Sequence, residues 1–120
     1  MARILVAEDE ASVAAFIERA LKGMGHEVTL APDGLAAVAA LAQSRFDMLL
    51  SDIVMPGLDG IALALKAGKD YPEMKILLIS GYANERQRAH NLDALAHRIL
   101  AKPFTLAEIC AAVAETLALP

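Results

Sequence analysis

Leu49-Leu50-Ser51-Asp52-Ile53-Val54-Met55-Pro56-Gly57-Leu58-Asp59-Gly60 is an apolar run that ends abruptly in a carboxylate, Asp52. A proline and two glycines then break the backbone before a helical pattern resumes at Ile61. Taken alone, Asp52 reads as a turn or N-cap aspartate. A carboxylate beside a buried strand costs desolvation energy unless it is paired. Its meaning therefore depends on what the rest of the chain brings to the same edge.

Upstream, Arg3-Ile4-Leu5-Val6-Ala7 has the short apolar character of a strand buried on both faces, and it ends in Glu8-Asp9-Glu10. Val13, Phe16, Ile17, Ala20, Leu21 and Met24 follow at helical spacing, with Gly23 and Gly25 as stop signals. Glu27 to Ala31 is a second strand. Pro32-Asp33-Gly34 opens a helix from Leu35 to about Gln43, with Val38 and Leu41 inward, and Met48 to Ser51 is the third strand.

Downstream, Ile61 to Lys69 is helical and Tyr71-Pro72 ends it. Lys75 to Ser80 is the most apolar strand. A polar helix is expected from Glu85 to about Leu95, exposed on one flank, and His97 to Ala101 is the fifth strand. Thr105-Leu106-Ala107-Glu108 has the pattern of a capping box. It leads a helix whose stripe is Leu106, Ile109, Cys110, Val113 and Leu117. Five strands alternating with five helices predict an α/β fold, a parallel sheet with right-handed crossovers and helices on both faces.

At 120 residues the chain has the size of one domain, 1–120, able to bury a core without disulfide or metal staples. A 57% apolar composition excludes disorder. Eleven basic against fifteen acidic residues, a net charge of −4, with no basic stripe, argue against nucleic acid as a direct partner. Cys110 is the single cysteine, so no internal disulfide forms, in keeping with a reducing compartment. There is no signal-peptide pattern and no apolar run of about 18 residues for a membrane span. A cytoplasmic protein is expected, with no further domain inside this sequence and a monomer as the default.

In such a fold ligands gather beyond the carboxyl ends of the strands. Those ends carry Glu8 and Asp9, Asp52, Ser80 and Lys102. Three carboxylates from two strands repel one another unless a cation sits among them. Hard oxygen ligands favour Mg²⁺. A hydroxyl and an ammonium at the same edge complete a site for phosphoryl transfer onto Asp52. A phosphatase-like hydrolase is disfavoured, since Val54 stands where a second catalytic acid would be needed.

These motifs resemble the receiver domain of two-component response regulators along the whole chain. The supports are Glu8-Asp9, Asp52 to Gly60 (close to the family's D-x-x-M-P-x-M-D-G), Ser80-Gly81 and Lys102-Pro103-Phe104. The stretches 79–83 and 89–95 are similar, more loosely, to CpdR-type single-domain regulators, adaptors for a ClpXP-type protease. The resemblance implies a doubly wound, flavodoxin- or CheY-like (βα)5 fold with strand order 2-1-3-4-5. It implies Asp52 as phospho-acceptor. Asp9, Asp52 and the Val54 backbone carbonyl would ligate Mg²⁺, with Glu8 acting through a metal-bound water.

Lys102 would pair with a phosphoryl oxygen, aimed by a cis bond to Pro103. Ser80 would hydrogen-bond the phosphoryl group and switch the face formed by the 85–95 helix, the fifth strand and the last helix. The implied partners are a histidine kinase or histidine phosphotransfer protein and a downstream protein target. The implied output is phosphorylation-dependent binding and not enzymatic turnover.

Two positions depart from the family pattern. Ile99 stands where an aromatic switch residue is usual, which makes Tyr82 the substitute, and Glu8 replaces the more usual Asp. The alternative reading is a constitutive interaction module with vestigial phosphorylation. His26, His90 and His97 share no spacing and read as surface or packing residues.

Overall fold

The computed structural model describes residues 1–81 and 97–120. The expected 85–95 helix and Tyr82 lie outside the described residues. The elements are β1 (Arg3–Ala7), α1 (Ala11–Gly23), β2 (Glu27–Ala31), α2 (Gly34–Gln43), β3 (Met48–Asp52), α3 (Gly60–Asp70), β4 (Lys75–Ser80), β5 (Arg98–Ala101) and α4 (Leu106–Leu117). The strands form one parallel sheet in the order β2-β1-β3-β4-β5, as expected. The alternating side chains of the inner strands feed two apolar layers. Leu5, Leu49, Ile76 and Leu78 meet α2 and α3 on one face. Ile4, Val6, Met48, Leu50, Leu77 and Ile79 meet α1 and α4 on the other.

Three helix starts are capped by side chains the sequence offers. Asp33 accepts from the Ala36 amide at 2.7 Å and Asp59 from the Ala62 amide at 2.8 Å. The Thr105/Glu108 capping box closes α4 in both directions. Glu10, at the N-cap of α1, makes no such bond.

Some expectations shift at element ends. The apolar stripe of α1 stops short of Met24, which lies past the last helical residue and is 37% exposed. Leu106, in the first turn of α4, is 54% exposed, and Ala112 and Thr116 take the inward positions instead. Met24 lies outside its helix and Leu106 opens its own, and neither joins the two apolar layers. Gly23 is the last residue of α1, and the turn belongs to Gly25, whose φ of 90° is left-handed backbone suited to glycine. β5 begins at Arg98, one residue later than the pattern suggests.

The amino-terminal edge of the sheet is closed by side chains that each immediately precede a strand. The Ala2 amide donates to His26 Nδ1 at 3.0 Å, the Arg3 amide to Asp47 Oδ2 at 2.8 Å, and the Ile76 amide to His97 Nδ1 at 2.9 Å. A ring nitrogen that accepts must carry no proton. Burial first, then the N-terminal ammonium for His26 and Lys75 for His97, hold both imidazoles below their ordinary value of 6.5. A group with a lowered folded pKa contributes stability above its unfolded pKa and loses it as pH falls through the folded one. Unfolding midpoints are therefore expected to drop below about pH 6.5. The pH 7-minus-5 difference should shrink in a His26→Asn/His97→Asn double variant, whose amide oxygens accept without titrating. An unchanged difference would remove the two histidines as the cause.

Candidate functional site

Asp52 closes β3 because the strand continues one residue beyond Ser51, pairing Asp52 with Ile79 of β4. Its side chain is 6% exposed. Glu8 follows β1 directly and is held by its amide, which donates to the Ala31 carbonyl at 3.0 Å. Lys102 follows β5 and is held the same way, its amide donating to the Ser80 carbonyl at 2.8 Å. The Lys102–Pro103 bond is cis, as the resemblance implied. Ser80 is fully buried at the end of β4, opposite Ala101. Four strands thus deliver the expected side chains to one edge.

Lys102 Nζ lies 2.9 Å from Asp52 Oδ2, 3.3 Å from Glu8 Oε1 and 3.8 Å from Glu10 Oε1. One ammonium serves three carboxylates, two of them buried. Burial acts to lower the Lys102 pKa. The ionic hydrogen bond and charge of Asp52, then Glu8, outweigh it and hold the ammonium above its ordinary value. Glu8 is pushed up to about 8, first by burial and then by the neighbouring Asp52, with Lys102 only partly opposing.

Ligand oxygens of Glu8, Asp9 and Asp52 all lie within 4.8 Å of one another. Glu8 Oε2 is buried with no hydrogen-bond partner among the described residues. A buried carboxylate oxygen left unpaired beside two further carboxylates fits a hard divalent cation. Glu8, Asp9 and Asp52 are therefore the residues that could hold Mg²⁺.

Of the remaining candidates, Val54 is 51% exposed in the loop after β3. Ile99 is partly buried against the α2/α3 layer and pairs with Leu78. Three contributors were not anticipated. Glu10 leans toward Lys102 where an N-cap bond would be usual. The backbone of Gly60 abuts Asp52, since a Cβ there would land on the Asp52 carbonyl oxygen and 2.8 Å from its carbon. Phe104 stacks obliquely on Phe16, with centroids 6.1 Å apart. The two rings, with Ser12, Val13 and Pro103, line a notch of about 300 Å³ beside Lys102. Gly60 and Phe104 stood inside quoted motifs, but neither motif gave them these contacts.

The family model described as "Response regulator receiver domain" matches residues 4–114. The response regulator receiver protein CpdR of Brucella abortus is 41% identical over 112 residues, 91% of each chain. The response regulator MprA of Mycobacterium avium is 36% identical over 109 residues, and this chain spans about half its length, 48%. Among solved structures, TrrA of Thermotoga maritima in complex with Mg²⁺ and BeF superposes with a TM-score of 0.87 at 28% identity, covering 97% of this chain and 99% of that one. With four strand-end motifs brought to one edge of a 2-1-3-4-5 sheet, the chain belongs to the response regulator receiver domain family.

Proposed function

We propose that Asp52 is the phospho-acceptor in a Mg²⁺-dependent transfer and that the phosphorylated chain signals by binding another protein. The observation that carries this is the 2.9 Å Lys102–Asp52 pair set into the Glu8/Asp9/Asp52 cluster. An Asp52 carboxylate oxygen attacks phosphorus while the bond from phosphorus to the donor's nitrogen or oxygen breaks, its electrons leaving with the donor. Lys102 stands close enough to exchange its contact with Asp52 for one with a phosphoryl oxygen. Ser80, buried one strand away, supplies a hydroxyl to the same group. Mg²⁺ held by Glu8, Asp9, Asp52 and the Val54 carbonyl would neutralise charge on the phosphoryl oxygens. The role is that of a substrate for phosphorylation which assists its own chemistry, and not that of an enzyme.

Incubation with acetyl phosphate and Mg²⁺ is expected to add one phosphate, and Asp52→Asn to prevent it. Phosphate appearing on the Asn variant would overturn the assignment. The Val54 side chain offers no polar atom to orient a hydrolytic water, so the phosphoryl group is expected to be long-lived. Val54→Asn should shorten its lifetime several-fold. Rapid loss in the wild type, unaffected by that change, would contradict the role.

The donor would be a histidine kinase or a histidine phosphotransfer protein. The 41% identity to CpdR over nearly the full length of both chains supports an adaptor role toward a ClpXP-type protease. A pull-down comparing wild type with Asp52→Ala, from cells in which the kinase is active, tests whether protease capture depends on phosphorylation. Ile99, an aliphatic side chain where an aromatic switch is usual, favours a second reading: a constitutive interaction module. Partner binding unchanged by acetyl phosphate and by Asp52→Asn would select it.

A further inference from the structure

β3 is apolar on both faces until Ser51, which is fully buried. Strand alternation places Ser51 on the same face as Leu49 and Ile53, and it pairs with Ala7; all three of those residues belong to the α2/α3 layer. A hydroxyl in an apolar layer costs about 1–3 kcal/mol unless it is satisfied. An alanine at this position would meet no such cost. Among the described residues the hydroxyl makes one bond, Ser51 Oγ donating to the Asp52 carbonyl at 2.9 Å.

The same carbonyl is confined from another side by Gly60, where no side chain fits. The other end of the same peptide is held by the Ile53 amide, which donates to the Ile79 carbonyl at 3.0 Å, and the next peptide by the Gly60 amide, which donates to the Ile53 carbonyl at 2.8 Å. The backbone leaving Asp52 is therefore fixed by one side-chain hydroxyl, one close approach and two backbone bonds. Rotation of the Asp52–Ile53 peptide plane would change how the Asp52 carboxylate stands relative to the loop that follows it.

We propose that Ser51 is a positioning residue for phosphoryl transfer: its hydroxyl holds the carbonyl end of the Asp52–Ile53 peptide, whose amide end the sheet holds, and so completes the attack geometry of the Asp52 carboxylate. This rests on Asp52 being the acceptor. Ser51 is fully buried and bonds the Asp52 carbonyl, so it would act through Asp52. Its loss should therefore slow the transfer step without changing how the donor is bound.

The test measures initial phosphorylation rates against acetyl phosphate concentration at saturating Mg²⁺ for the wild type, Ser51→Ala and Ser51→Thr, with a thermal midpoint for each. In Ser51→Ala the maximal rate should fall about tenfold, as a small misplacement of a reacting group does. The half-saturating donor concentration should stay within about twofold if only positioning is lost. The midpoint should stay within about 2 °C, since the variant removes a hydroxyl without opening a large cavity. Ser51→Thr, which keeps the hydroxyl, should restore most of the rate. The Asp52 carbonyl ¹³C resonance should shift in the Ala variant and hold its position in the Thr variant.

A Ser51→Ala chain phosphorylated at the wild-type maximal rate would overturn the proposal. So would rate and midpoint falling together, a folded Thr variant as slow as Ala, or an Asp52 carbonyl resonance unmoved by Ser51→Ala. A wild type that takes no phosphate, or an Asp52→Asn variant that still takes it, would instead remove the acceptor reading.

Discussion

Lys102→Ala is expected to lower folding stability by about 3 kcal/mol in metal-free buffer, toward the low end for breaking a buried ion pair. The substitution strands the Glu8 and Asp52 side chains, 0% and 6% exposed, with their shared cation gone. The loss sits at the low end because Glu8, already pushed up to about 8, can hold a proton at neutral pH and relieve part of the repulsion. Urea unfolding of the wild type and the variant measures it. Added Mg²⁺ should raise the midpoint of the variant more than that of the wild type, since a cation among Glu8, Asp9 and Asp52 replaces the missing ammonium. Phosphorylation by acetyl phosphate should also fall at least tenfold, because Lys102 is the cationic side chain that meets Asp52 among the described residues. An Ala variant as stable as the wild type without metal would show that the ion pair does not hold the site together.

Gly60→Ala is expected to be strongly destabilising. Helix propensity alone favours Ala by up to about 1 kcal/mol. Here the added Cβ would collide with the Asp52 carbonyl oxygen and lie 2.8 Å from both Asp52 C and Ile53 Cα. These are backbone atoms at the end of a central strand and cannot swing aside as a side-chain tip would. Overpacking against them should cost about 3 kcal/mol, the upper part of the usual range, and outweigh the propensity gain. Gly23→Ala is the control: nothing lies within 4 Å of its Cβ position and its φ is not positive, so it should be neutral or slightly stabilising. Phosphorylation of Gly60→Ala should slow together with its loss of stability, whereas Ser51→Ala should slow without one. If Gly60→Ala and Gly23→Ala have equal midpoints, the close approach at Asp52 carries no stability.

The strands of this fold were readable because β1, β3 and β4 are buried on both faces and so appear as unbroken apolar runs. The edge strand β2 is mostly exposed and carries no such unbroken run. Periodicity overreached at Met24 and Leu106 because a helical stripe carries no information about where the sheet beneath it stops. The histidines were legible only as residues without a shared motif. Their use as neutral acceptors for Ala2 and Ile76 depends on amides 24 and 21 residues away.

Chain order and strand type determined that Glu8, Asp9, Asp52, Ser80 and Lys102 would meet, because a parallel sheet sends every strand's carboxyl end to the same edge. The residue types determined that this edge would be acidic with a single ammonium, the chemistry of a cation and a phosphoryl group. Tertiary structure decided what lies within bonding distance: Lys102 shared among Asp52, Glu8 and Glu10, Glu8 Oε2 left unpaired, and the Asp52 carbonyl held between the Ser51 hydroxyl and Gly60. Such contacts are set by strand register and by how closely α3 starts against β3. Register and packing distance are sums over many residues, and no single motif encodes them.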